Sequence, residues 1–285
     1  MNSNLPVKSC RNACLALLLT ALVSPIGHAR DVTVGIANGN ALAFFPAVTN
    51  ILTGDRVIWV WNNTVNQHST TDTGLWDSGL HPAPQSFTNT FNSTGTFNYF
   101  CSLHSGFGMT GKVIVSAPPQ PPSLAITIPL AGAVFATPAS VTIQVAVTNG
   151  SSAVTNVQFL LGGSLLTNKT AAPFSVTASN LAVNSYVLLA IAADGNGLKA
   201  TNTASISVVT PIAVNLTAPA SIPPMSFQFS YSANAGLRYV VERSTNFANW
   251  LALATNTAPA SLVNFLDTNA LWNPAFYRVV RLPNP

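Results

Sequence analysis

The sequence predicts an all-β protein made of a Greek-key sandwich followed by two more β-sandwiches, and three observations carry that prediction. Apolar residues alternate with polar ones at period two, and no stretch shows the stripe of an amphipathic helix. Turn signals separate the alternating runs, as at Asn38-Gly39, Thr53-Gly54-Asp55 and Thr94-Gly95. Beyond residue 123 short strands recur at roughly 8–12 residues or somewhat more loosely, the rhythm of sandwich domains.

Residues 1–29 read as a secretory signal. Lys8 and Arg11 form a basic start, Ala13 to Val23 is apolar but short for a membrane span, and Gly27-His28-Ala29 suits cleavage after Ala29. Cys10 and Cys14 leave with that segment, so the mature chain keeps Cys101 alone and has no internal disulfide. The expected location is therefore outside the cytoplasm, periplasmic or secreted to the cell surface. No later run reaches the length of a membrane span. Nine Lys/Arg face seven Asp/Glu in the mature part, with no basic stripe, which excludes nucleic acid as a partner.

The first sandwich is expected over residues 30–117. Val32, Val34 and Ile36 alternate, Val57 to Trp61 is β-branched and aromatic, Phe97, Tyr99 and Cys101 share a face, and Val113 and Val115 share the next. Residues 118–123 form a proline-rich linker: Ala117-Pro-Pro-Gln-Pro-Pro-Ser123 favours polyproline II, a semi-rigid spacer. A second sandwich over 124–210 begins with Leu124, Ile126 and Ile128 and continues through Val141 to Val147, Val157-Phe159, Tyr186 to Ile191 and Ile206-Val208. A third unit, 211–285, offers Phe227 to Tyr231, Tyr239 to Arg243, Trp250 to Leu253 and Phe276 to Val280; at this size it is expected to lean on its neighbour for part of its core.

Chemistry concentrates in the first sandwich. Cys101, His104 and Met109 share one short loop, and His68 lies upstream in Val-Asn-Gln-His-Ser. A thiolate, two imidazoles and a weak axial thioether are the ligand set of a type 1 copper centre, which holds one copper ion. Alternation puts Cys101 inward at a strand end, and Gly106 and Gly108 let the loop swing His104 and Met109 around the metal. His68 has to arrive from a separate edge.

Residues 31–116 resemble the plastocyanin branch of the cupredoxins. The resemblance rests on Ala-Leu-Ala-Phe-Phe-Pro at 41–46, Gly-Asp-Arg-Val-Ile-Trp at 54–59, Asn62-Asn63 before His68, and Gly-Thr-Phe-x-Tyr-x-Cys-x-x-His-x-x-x-x-Met-x-Gly-Lys-Val from Gly95. It implies a blue-copper electron carrier with His68, Cys101, His104 and Met109 as ligands, redox proteins as partners, and electron entry at His104 within an apolar rim for which Leu42, Leu103 and Phe107 are candidates. Ser69 stands where plastocyanins usually have Asn, Phe100 where they often have Tyr, and the acidic patch of photosynthetic members is missing, with only Asp31, Asp55, Asp72 and Asp77 in this part. Photosynthetic electron transport is not implied. The second sandwich resembles bacterial immunoglobulin-like repeats, and the third looks like fibronectin type III-like domains that end many bacterial secreted proteins.

Remaining candidates read as structural. Tyr99 is expected to anchor the fold by a corner hydrogen bond, His81 to be a solvated loop residue, Asp194-Gly-Asn-Gly197 a hairpin turn, Trp76-Asp77-Ser78-Gly79 packing and turn, and Arg278 and Arg281 charges that keep a strand edge soluble. A multicopper oxidase needs a histidine-rich trinuclear cluster, and the mature chain has only His68, His81 and His104, so no enzyme is expected. Copper storage or delivery, and surface adhesion with the copper module as scaffold, are the competing functions. The tail sandwiches are read as spacers or as contacts with a cell surface or extracellular matrix.

Overall fold

The computed structural model describes residues 29–38, 41–62, 65–270 and 274–285. The expected signal lies outside the described residues except for Ala29, as do Gly39 of the first turn and Asn63. Two compact units meet at the Pro118–Pro119 bond.

The first unit is a sandwich of two mixed sheets. One orders β2 (Phe44–Phe45), β1 (Asp31–Ile36), β4 (Arg56–Trp61) and β7 (Gln85–Thr90), with β1 parallel to β4. The other orders β3 (Val48–Leu52), β9 (Thr110–Ser116), β8 (Gly95–Phe100), β5 (Thr71–Asp72) and β6 (Trp76–Asp77), with β3 parallel to β9. The chain forms hairpins at β1–β2, β5–β6 and β8–β9 and crosses between the sheets at its other connections, as in a Greek-key sandwich. The alternation read in the sequence is the alternation of burial: Val57, Trp59 and Trp61 face in while Arg56, Ile58 and Val60 do not. Trp59, Trp76, Phe91 and Tyr99 interlock in tilted and edge-on pairs, with centroids 5.3–6.4 Å apart. That geometry suits the ring quadrupoles.

Tyr99 differs from expectation. Its hydroxyl is buried without a hydrogen-bond partner, so it is not a corner anchor. Burial pushes the phenol up to about 12, the Trp59 indole beside it acting in the opposite sense. What fixes Tyr99 is packing: a Cβ on Gly111 of β9 would meet its ring at 2.3 Å, so only glycine fits there.

The second unit contains four sheets. Two form the immunoglobulin-like sandwich: β10 (Ser123–Ile128), β12 (Ala139–Thr148) and β15 (Ser175–Leu181) in one; β11 (Val134–Ala136), β17 (Lys199–Val209), β16 (Asn184–Asp194), β13 (Val154–Leu161) and β14 (Ser164–Lys169) in the other. The last two pair β18 (Leu216–Ile222), β19 (Ser226–Ser232) and β22 (Leu262–Asp267), and β21 (Leu251–Thr257), β20 (Arg238–Ser244) and β23 (Phe276–Arg281). Asp194 closes the β16–β17 hairpin: its Oδ1 accepts from the backbone N–H groups of Asn196 and Leu198.

The terminal sandwich borrows core from its neighbour. Ala136, with Val134 and Val209 against it, packs in one cluster with Phe229, Tyr231 and Tyr239. Asn284 seals this seam, accepting from the Ala136 N–H at 2.8 Å and donating to its carbonyl at 2.7 Å. The proline-rich segment is not a free spacer throughout: the Gln120 carbonyl accepts from the Ser151 N–H at 3.0 Å, and its own N–H donates to Ser151 Oγ at 2.8 Å.

Candidate metal centre

Two segments deliver the four ligand candidates to one end of the first sandwich. His68 follows β4 and is held through its backbone: it exchanges two 3.0 Å hydrogen bonds with His81, and Trp61 Nε1–H donates to its carbonyl at 3.0 Å. Cys101 follows β8, its N–H donating to the Met109 carbonyl at 3.1 Å. The Met109 N–H in turn donates to the His104 carbonyl at 3.3 Å, so the loop is cross-tied. A 3-10 turn at Ser105–Phe107 carries the chain between them and ends at Gly108, whose φ of +81° is left-handed. Gly106 is not in that region, so Gly108 alone supplies the conformational freedom expected of both.

The donor atoms converge. His68 Nδ1 and His104 Nδ1 are 3.1 Å apart, and Cys101 Sγ lies 3.7 and 3.5 Å from them. A triangle with those sides has its centre about 2.0 Å from each corner, the reach of a first-row metal–imidazole bond. Met109 is fully buried in the same cluster as Cys101. His68 and Cys101 are buried too, and His104 is the one ligand candidate that reaches solvent. Burial, and secondly the charge of His104, hold the His68 imidazole below its ordinary pKa, which favours the neutral form a metal needs. Among the described residues this is the one cluster of three or more His, Cys, Asp or Glu side chains able to hold an ion. Two imidazoles, a thiol and a thioether, drawn together with His104 alone reaching solvent, fit copper.

Ser69 ties the two ligand segments together. Its N–H donates to Cys101 Sγ at 3.4 Å, and its buried hydroxyl accepts from the Ser102 N–H at 2.8 Å. The hydroxyl also lies 3.0 Å from Thr71 Oγ1, which donates to Asp77 Oδ1 at 2.9 Å. Ser102 Oγ lies equally near, 3.0 Å from the Ser69 hydroxyl, so the hydroxyls of Ser69, Thr71 and Ser102 form one network that ends on the Asp77 carboxylate. Ser69, at a position where plastocyanins usually have Asn, thus joins the two ligand segments.

His81 is a correction to the sequence reading. It is half-buried, its ring stands edge-on to Trp61 at 6.2 Å, and Nε2 lies 2.7 Å from the Ser78 carbonyl. It is a support for His68 and not a solvated loop residue. Neither this bridge nor the Trp61 bond to His68 was foreseen; the inward position of Trp61 at the end of β4 was the available signal. Leu42, Leu103 and Phe107 are all exposed, Phe107 by 77%, with its ring 6.5 Å from that of His104.

Comparison with known proteins agrees with this geometry. A family model described as copper binding proteins, plastocyanin/azurin family, matches residues 30–116, and one described as bacterial Ig domain matches 122–208. The chloroplastic plastocyanin of Tetradesmus obliquus is 36% identical over 99 residues, which span 31% of this chain and 68% of that protein. The chain belongs to the plastocyanin family. The plastocyanin of Scenedesmus fuscus is 33% identical over 97 residues, 30% of this chain and 99% of that one. Among solved structures, fibronectin(III)-like modules of Clostridium thermocellum are 25% identical over 32% of this chain and 100% of theirs, with a TM-score of 0.30. The first unit is accordingly a copper-binding, electron-transfer cupredoxin domain.

Proposed function

We propose that this plastocyanin-family protein is an exported single-electron carrier, not an enzyme, in which His68, Cys101, His104 and Met109 hold one copper ion. Bound copper supplies a one-electron redox couple. The observation that carries the reading is the rigid frame around the donors. His68 is pinned by Trp61 and His81, Cys101 by Ser69 and Met109, and His104 by the turn that ends at Gly108. A donor set that stays in place whatever the charge at its centre needs little rearrangement when that charge changes. Storage or delivery of copper requires release, and this cross-tied, buried set favours retention.

His104 is the ligand candidate nearest solvent, beside exposed Leu103 and Phe107, so a protein redox partner approaches the centre most closely there. The tail sandwiches carry no comparable cluster among the described residues and serve spacing or attachment, including contact with a cell surface or matrix. The leader over 1–29 directs export to the periplasm or beyond.

The test is to load the mature chain with Cu(II) and record visible absorption and electron paramagnetic resonance. An intense thiolate-to-copper band with narrow hyperfine splitting, lost in Cys101→Ser, is expected, and reversible reduction by a small donor separates carriage from storage. A Cys101→Ser protein that stayed blue would refute the ligand assignment.

A further inference from the structure

At the edge of the first sandwich, a buried carboxylate is met at close range by backbone donors and only distantly by a cation. The side chain of Asp55 is 9% exposed, yet its oxygens meet mainly neutral donors: Oδ1 accepts from the backbone N–H of Arg30 at 2.8 Å, and Oδ2 from that of Leu52 at 2.9 Å. The cation nearest to it is the Arg30 guanidinium, 3.8 Å from Oδ2 and itself 63% exposed, with one nitrogen donating to the Asn50 carbonyl instead. A buried carboxylate is costly without a close positive partner. Arg30 is held firmly in this position, because its carbonyl accepts from the Arg56 N–H at 2.9 Å as β1 enters the sheet.

We propose that Asp55 is the receptor for the α-ammonium group created at Arg30 when the leader is cut after Ala29. The inference rests on the export reading above. In the cut, the Ala29–Arg30 C–N bond breaks under a signal peptidase. Water gives its hydroxyl to the Ala29 carbonyl carbon and a proton to the Arg30 nitrogen, which takes up a second proton near neutral pH. The nitrogen already 2.8 Å from Asp55 Oδ1 becomes a full positive charge, and an ordinary hydrogen bond becomes a charge-assisted one. A groove of about 530 Å³ beside Ala29, Arg30 and Asp55 leaves room for water at the remaining protons. Processing therefore completes the fold of the copper unit as well as releasing it.

The charged groups facing the new amine are Asp55, the guanidinium of Arg30, which opposes it, and the Asp31–Arg56 pair, closed on itself at 2.7 Å. A partner of opposite sign raises the amine's pKa in the folded state. Its stabilisation is thus full below the unfolded value of about 7.7–8.0 and is lost as pH rises through the folded value.

The experiment uses the full chain starting at Arg30, released from a fusion by a protease, beside its α-acetylated form, each with and without Asp55→Asn. The α-amine of the native chain is expected to react severalfold more slowly with an amine-labelling reagent at pH 8 than in Asp55→Asn. Acetylation should raise the unfolding equilibrium constant about tenfold at pH 7 and have little effect at pH 10 or in Asp55→Asn. Normal amine reactivity, or acetylation and Asp55→Asn effects that simply multiply, overturns the proposal. Should Asp55→Asn fail to fold, the titration of the wild-type amine decides alone. Separately, intact mass after expression with the leader tests processing: a chain beginning at Arg30 supports the proposal, and a cut elsewhere overturns it. A chain retained uncut in the cytoplasm sinks the export reading, leaving the Asp55 measurement to stand by itself.

Discussion

The two units are built from the same material, alternating strands in facing sheets, but they bury different things. In the first, Thr49 and Asp55 are buried elsewhere, while the buried polar groups His68, Ser69 and Thr70 gather with Cys101 and Met109 at one end, each fixed to a neighbouring segment. In the second, the buried polar side chains among the described residues are Asp194, Ser244 and Asp267, and each bonds locally, Asp194 through Oδ1 alone. Asp194 caps a hairpin, Ser244 braces Asn246, and Asp267 accepts from Arg243 at 2.6 Å and from Tyr277 at 2.9 Å. The difference shows that a sandwich is neutral scaffolding. Function comes from which side chains the inward positions carry at strand ends.

That contrast can be broken in graded ways. The largest effect is expected from Cys101→Ser, which should abolish the blue band while the thermal unfolding of both units, followed by circular dichroism, stays cooperative. Next, Tyr231→Ala removes a fully buried ring from the second unit and should cost about 3–5 kcal/mol in denaturant titrations. The copper spectrum should not move; if it does, the units are not independent. Ser69→Ala takes one hydroxyl from the tie between ligand segments, leaving the Ser102 N–H short of its acceptor. A loss of about 1–3 kcal/mol is expected, confined to the first unit, with broader copper hyperfine lines. The smallest effect concerns Asp31, whose carboxyl the Arg56 guanidinium holds below the usual range. A depressed carboxylate contributes stability above its unfolded value of about 3.9 and loses it as pH falls through the folded value. Asp31→Asn should therefore flatten the acid limb of the first unit's stability slightly and leave neutral pH nearly unchanged, since the pair is exposed.

Much of this was legible in the sequence. Inward triplets such as Val57, Trp59 and Trp61 announced their strands because one face is buried. The polar strand β7, Gln-Ser-Phe-Thr-Asn-Thr, was not read, since its residues are mostly exposed and alternation has nothing to mark. The ligand candidates stood out by residue type and spacing. Their supports did not: the Trp61 bond to His68, the His81 bridge and the row from Ser69 to Asp77 join residues through space, with donors common in any loop. Tyr99 misled for a related reason, because a motif gives the ring's position and not the fate of its hydroxyl.

The clasp of Asn284 on Ala136 sets an order of assembly. Those two residues are 148 positions apart, and both backbone groups of Ala136 depend on an amide that far along the chain. Until Asn284 is in place, the seam between the tail sandwiches stays open. Closing a span that long costs chain entropy before any contact offsets it, so the seam forms after the local hairpins on either side of it.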